Sequence, residues 1–174
     1  DICILTAKND LGVQIANELT KKGVSVFSQE SLLISKNIQV RLLLSYLKWR
    51  MRPTMDTSKR QFAELFFRMQ QNVDDRYFDF IKEKVTPSGY SIKFFDDESF
   101  LDEFFEGRNS FFKPFENIYE LALQFMDMMS WTDVNNPFLH QFLDLVFQFQ
   151  NNRQSDLSKF IEYYDENKSS FALK

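Results

Sequence analysis

The chain has 174 residues, 44% of them apolar, with 21 Phe, 6 Tyr and 2 Trp. That is enough for one large domain or two small ones and excludes a globally disordered chain. Four Gly and four Pro exclude collagen-like and low-complexity classes. The single cysteine, Cys3, excludes a disulfide framework and a multi-cysteine zinc site, and the single histidine, His140, excludes a two-histidine metal motif. Apolar runs reach only three or four residues, too short to cross a bilayer, and no basic-then-apolar leader opens the sequence. The expectation is a soluble, cytoplasmic protein with no membrane partner. The net charge of −4 is unevenly placed: residues 1–60 hold ten Lys/Arg against five Asp/Glu (+5), and residues 61–174 hold eleven against twenty (−9). No run of five or six basic residues marks a nucleic-acid tail, so charge alone favours differently charged solvated faces over a polyanion partner.

Ile2-Cys3-Ile4-Leu5 reads as a buried strand of the parallel-sheet kind. Asn9 or Asp10 then caps an amphipathic helix carrying Leu11, Ile15 and Leu19, with Lys21-Lys22 in its last turn and Gly23 closing it. Val24 to Phe27 is the next strand, and residues 28–35 read as a loop. Val40, Leu43, Leu44 and Leu47 mark a helix that Pro53 ends. Beyond it a period of 3.6 predominates. Phe62, Leu65, Phe66 and Met69 predict a helix from Asp56/Thr57 to about Gln71, and Tyr77, Phe80 and Ile81 a further one ending before Pro87-Ser88-Gly89. Residues 97–105 form the next, stopped by Gly107. Pro114 opens one carrying Ile118, Leu121, Phe125 and Met128, and Pro137 one carrying Phe138, Phe142, Leu145 and Phe149. Ser155 caps the last, with Leu157, Phe160, Ile161 and Tyr164, and Phe171-Ala172-Leu173 begins a strand. No fixed-period repeat is present.

The expected fold class is mainly α, with a small α/β N-terminal piece followed by an all-α region. Two buried-type strands with one helix between them lack sheet neighbours. Either they pair with distant segments or they are a slice of a larger sheet.

Residues 1–48 resemble one region of the UvrD/Rep/PcrA-type superfamily 1A DNA helicases. That family reads A-V-L-Y-R-T-N on a strand, then a helix, a G-I-P turn and strand, G-G-x-x-F, and a helix ending A-Y-L-R. Here the corresponding residues are Cys3-Ile4-Leu5-Thr6-Ala7-Lys8-Asn9, a helix to Leu19, Gly23-Val24-Ser25-Val26, Ser31-Leu32-Leu33, and Tyr46-Leu47-Lys48, with no gap. The loop Ser28 to Leu33 is similar to the RecB/AddA branch, the helicase–nucleases of double-strand break repair. Ser155 to Tyr163 resembles the helix that leads back from the inserted 2B subdomain. Ala7 replaces the family's Arg, Ser25 its Pro, and Ile34-Ser35 an aromatic pair. The resemblance implies that residues 1–52 are part of the RecA-like domain 2A, 53–170 a helical 2B-like insertion, and 171–174 the start of a return strand, with a hinge over residues 52–56. It also implies a parent that binds ATP and Mg²⁺, acts on single- and double-stranded DNA, and takes a partner subunit in a helicase–nuclease complex. The rival expectation is an all-α protein-interaction module with no nucleic-acid role, which a Phe-rich body of charge −9 would suit.

No catalytic residue is expected within the chain. ATP hydrolysis needs G-x-x-x-x-G-K-[ST] and a Mg²⁺-holding acidic pair, whereas the glycines stand singly at 12, 23, 89 and 107. Glu166-Asn167-Lys168 has the E-x-K half of a metal-dependent nuclease motif without an upstream P-D pair. Asp96-Asp97-Glu98 with Asp102-Glu103 lacks calcium-loop spacing and reads as helix-start acidity. His140 and Asp144 have no nucleophile beside them. Most Phe recur at helical spacing and read as core; Trp49 within Lys48, Arg50 and Arg52 is the exception, a candidate base-stacking residue, and Trp131 is expected in an exposed loop. The nucleic-acid-binding candidates are Lys8, Asn9, Arg50, Arg52 and Arg60, contacting phosphates without sequence specificity.

Overall fold

The computed structural model describes residues 4, 15, 18–19, 22–24, 33–70, 75–131, 136–152 and 156–172. These residues are mainly α-helical, as the sequence predicts. Much of the expected N-terminal β-α-β unit lies outside them. Within it, Ile15, Glu18 and Leu19 are helical, and Gly23 at φ 78° ends the helix where the Val24 N–H donates to the Leu19 carbonyl at 3.0 Å. That is the six-to-one bond of a glycine-closed helix end. Ile4 and Val24, from the two expected strands, lie in no strand and are 51% and 49% exposed.

Helix α1 (Ile38–Met51) is the centre of the body. Asn37 caps it, its side chain accepting from the Gln39 and Val40 N–H groups at 3.0 and 3.1 Å. It buries Val40, Leu42, Leu43, Tyr46, Leu47 and Trp49, more than one face, because other helices lie against several of its sides. After the turn at Pro53, α2 (Asp56–Met69) folds back along it and brings in Phe62, Ala63, Leu65, Phe66 and Phe67. Two helices that share one core flank residues 52–56, so the expected boundary and hinge there do not coincide with a break in packing.

Helix α3 is only five residues, Asp75–Asp79. The helix expected to continue through Ile81 gives way to an antiparallel hairpin, β1 (Ile81–Val85) and β2 (Ser91–Phe95). Lys82, Glu83 and Lys84 offer no apolar stripe at helical spacing. Thr86-Pro87-Ser88-Gly89 forms a tight turn in which the Gly89 N–H donates to the Thr86 carbonyl and the Thr86 N–H to the Tyr90 carbonyl, both at 2.8 Å. Pro87 suits the second turn position, and Gly89, at φ 81°, takes the left-handed one.

Then follow α4 (Asp97–Phe104), capped by Asp96, and the single turn α5 (Arg108–Phe111). Helix α6 begins at Ile118 rather than at Pro114. The reason is a cap: the Asn117 side chain accepts from the Glu120 N–H at 2.9 Å while the Glu120 carboxylate reaches back to the Glu116 N–H at 2.6 Å. Helix α7 (Pro137–Asn152) begins where expected, with Asn136 accepting from the Phe138 N–H at 2.9 Å. Helix α8 (Leu157–Asn167) is capped by Asp156, which accepts from the N–H groups of Ser158 and Lys159; the expected cap, Ser155, lies outside the described residues.

The core is aromatic. Phe62 is its hub, with ring centroids of Trp49, Phe111, Phe105 and Phe125 at 5.3, 5.4, 5.8 and 5.9 Å. A second cluster joins α7 to α8, where Phe160 lies 5.3 Å from Phe149 and 5.9 Å from Phe142. Phe171 packs on Tyr163 and Tyr164, and the strand expected there is a single antiparallel bridge, Leu33 with Ala172, the Ile34 N–H donating to the Phe171 carbonyl at 3.0 Å.

Candidate nucleic-acid interface

Lys8 and Asn9 lie outside the described residues. Of the other candidates, Arg50 faces inward along α1. It donates to the Tyr46 hydroxyl at 2.9 Å and to the carbonyls of Phe111 and Lys113 at 3.0 and 2.6 Å. Its guanidinium lies over the rings of Phe112 and Phe115, 5.3 and 5.2 Å from their centroids. This arginine ties α1 to the segment that follows α5. Burial pushes the Tyr46 hydroxyl's pKa up, and the arginine beside it opposes that shift.

Arg60 is committed in a different way. It pairs with Asp56 one turn earlier at 2.5 Å and donates to the Lys93 carbonyl of β2 at 2.8 Å, while Asp56 also accepts the Phe95 N–H at 2.8 Å. The pair thus fastens the hairpin to α2. Burial pushes the Asp56 carboxyl up, but the Phe95 N–H and the Arg60 guanidinium outweigh it and hold the group below the usual carboxylate range. Arg50 and Arg60, both expected at phosphates, are thus engaged in contacts that serve the fold.

Arg52 is exposed, and its side chain has no hydrogen bond or ion pair among the described residues. It borders a cleft of about 400 Å³ between the α1–α2 turn and α8, lined also by Lys48, Met55, Glu162, Asp165 and Glu166. Lys48 pairs with Asp165 at 2.8 Å. Three carboxylates against two cations make this cleft a poor seat for a polyanion.

Trp49 and Trp131 are both buried, against the expectation of exposure. Trp49 packs 4.6 Å from Phe111, on the inner side of α1 that also carries Leu42 and Tyr46, and its Nε1 has no hydrogen-bond partner among the described residues. The acidic run is likewise structural. Asp96 caps α4, Asp97 pairs with Lys59 at 2.7 Å and Arg108 at 2.8 Å, and Glu103 pairs with Arg76. Among the described residues no three His, Cys, Asp or Glu side chains come together to hold a metal. Glu166 and Lys168 are exposed at the end of α8, and His140 is exposed on α7.

The surface that sequence reasoning missed is the hairpin. Paired positions share a face, and alternation puts Lys82 and Lys84 of β1 on the same side as Phe94 and Ile92 of β2, with Tyr90 continuing the column. Tyr90, Ile92 and Phe94 are 74%, 49% and 36% exposed. The opposite side carries Phe95, which is buried against Phe80 and Phe100. Alternation across residues 81–95 around Pro-Ser-Gly was the available signal.

Comparison of the chain with protein-family models, curated proteins and solved structures gives no match. Among the described residues no helix is long and apolar enough to cross a membrane.

Proposed function

We propose that the chain is a non-catalytic fragment of an ATP-dependent DNA helicase of the RecB/AddA type, part of domain 2A together with the 2B insertion. The parent couples ATP turnover to movement along single-stranded DNA in the cytoplasm during recombination and repair. The observation that carries this reading is the bridge between Leu33 and Ala172. Ile34 and Phe171 are hydrogen-bonded neighbours, so the chain that carries the expected 53–170 insertion returns beside the residues that precede it, as a segment inserted into a parent domain does. Two further features support it. The described end of the N-terminal helix turns at Gly23, as the helicase resemblance implies, and Ile4 and Val24 are β-branched residues of strand type with side chains half in solvent.

The residues present do not fit ATP: no phosphate loop occurs in the sequence, so nucleotide binding belongs to parts of the parent outside these residues. The fragment supplies geometry, DNA contacts and a surface for a partner subunit.

The test is to read the gene on both sides and purify its full product. A G-x-x-x-x-G-K-[ST] loop upstream, T-I-H-K-x-K-G downstream, and ATP hydrolysis stimulated by single-stranded DNA are expected. A full-length product with neither motif and no such activity overturns the reading in favour of a helical interaction module.

A further inference from the structure

The β1–β2 hairpin holds a solvent-facing column of large apolar side chains beside a column of lysines. A small protein has little reason to leave Tyr90, Ile92 and Phe94 in water on consecutive same-face positions while residues 61–174 supply so many acidic side chains for coating a surface. Neighbours along this column are about 7 Å apart, two strand residues, so Tyr90 and Phe94 stand about 13 Å apart along the strand. The Lys84 side chain has no partner among the described residues, and Lys82 reaches only the Asp79 carbonyl, at 3.0 Å. The acidic residue of the hairpin, Glu83, points to the other side, where Ser91 donates to it. The exposed face therefore carries cations and rings without a carboxylate. The asymmetry lies within the hairpin itself and contrasts with the acid-rich cleft beside Arg52.

We propose that this face binds single-stranded nucleic acid, with bases stacking on Tyr90 and Phe94 and phosphates paired with Lys82 and Lys84. The occupant follows from charge and shape together. Positive charge selects a polyanion, exposed rings select one with unpaired planar bases, and duplex DNA offers no free base face. An acidic peptide satisfies the charge and leaves the rings without a stacking partner. Binding has no sequence preference, because the face presents rings and ammonium groups rather than a pattern of donors and acceptors to base edges. The choice of DNA over RNA rests on the helicase reading; the stacking platform does not.

Fluorescence anisotropy with labelled oligo(dT) on the 174-residue chain at low salt tests this. Tyr90→Ala is expected to weaken binding about tenfold and Tyr90→Phe to restore it, since the ring and not the hydroxyl stacks. Lys82→Gln with Lys84→Gln is expected to lower the salt slope of log affinity by about 1.4, the release expected from two phosphate contacts to a single strand. Unchanged circular dichroism in each variant confirms that the exposed positions left the fold intact. Equal affinity for oligo(dT) in wild type and Tyr90→Ala overturns the platform. So does a polyglutamate peptide that displaces oligo(dT) at equal charge concentration, which would assign the face to an acidic protein. The helicase reading fails separately, on the flanking gene sequence, and a platform that binds in a chain without those flanks stands without it.

Discussion

The helical body and the hairpin use the same residue types to opposite ends. In the body, aromatic rings adjoin basic residues in sequence and still lie inside: Trp49 stands between Lys48 and Arg50 and is buried against Phe62 and Phe111. In the hairpin, Tyr90, Ile92 and Phe94 alternate with polar neighbours and lie outside. The difference is one of period and partner. A helix surrounded by other helices buries several of its sides, so its aromatic residues go inward whatever charges flank them. A two-stranded ribbon has two faces, and here one face meets the body only at its Ile81–Phe95 end, while Val85 farther along it is 65% exposed. An aromatic residue in a basic sequence context thus says little about nucleic acid until the period and the covering element are known.

The sharpest way to break this comparison is to truncate one ring on each side. Phe62→Ala removes the hub of the aromatic core and is expected to cost about 3–5 kcal/mol in urea unfolding. Tyr90→Ala is expected to change stability by no more than about 0.5 kcal/mol. Similar losses for the two variants would mean that the hairpin face is covered in solution.

Arg50 marks the boundary between the two uses. Arg50→Met keeps the aliphatic stem and leaves the Phe111 and Lys113 carbonyls without their donor, so a loss of about 1–3 kcal/mol is expected, with little change in oligo(dT) affinity. A drop in affinity with stability unchanged would return Arg50 to the phosphate-binding set.

A smaller effect concerns the fastening of the hairpin. The Asp56 carboxyl titrates below its ordinary range in the folded chain, so its contribution is present at pH values above the unfolded value and fades as pH falls through the depressed folded one. With its side chain 41% exposed, water screens the pair and the contribution is under about 1 kcal/mol. Urea midpoints measured downward from about pH 5 should fall less steeply in Asp56→Asn than in wild type. Equal slopes would show that the Arg60–Asp56 pair does not fasten the hairpin. The smallest effect is expected in tryptophan emission: with Trp49 and Trp131 both buried, iodide should quench little. Strong quenching in the folded chain would place an indole at the surface.

Much of the helical layout was legible. Leu43 and Leu47 before Pro53, the Phe62–Met69 stripe, the start at Pro137 and the Phe160–Tyr164 stripe each combine a period of 3.6 with a local stop or start signal, and each lies in the helix it predicted. The hairpin was not read because Phe80 and Ile81 continue a helical spacing from Tyr77, while the competing alternation begins only after them. The start of α6 was displaced because the reciprocal Asn117–Glu120 cap outweighs the tolerance of a helix for proline in its first turn. The candidate site was legible in composition and illegible in direction: Arg50, Arg52 and Arg60 fall within one short stretch, but one reaches into the body, one fastens the hairpin and one borders an acidic cleft.

By itself the amino-acid sequence determined the helical class, most helix boundaries and the absence of a phosphate loop, because periodicity, caps and motif spacing are local properties of the chain. Tertiary structure decided which side of α1 faces a neighbour, where each arginine finds its acceptors, and that Leu33 and Ala172 meet. Those outcomes depend on groups far apart in the chain, and burial is set by whatever element packs across from a residue rather than by the residue itself.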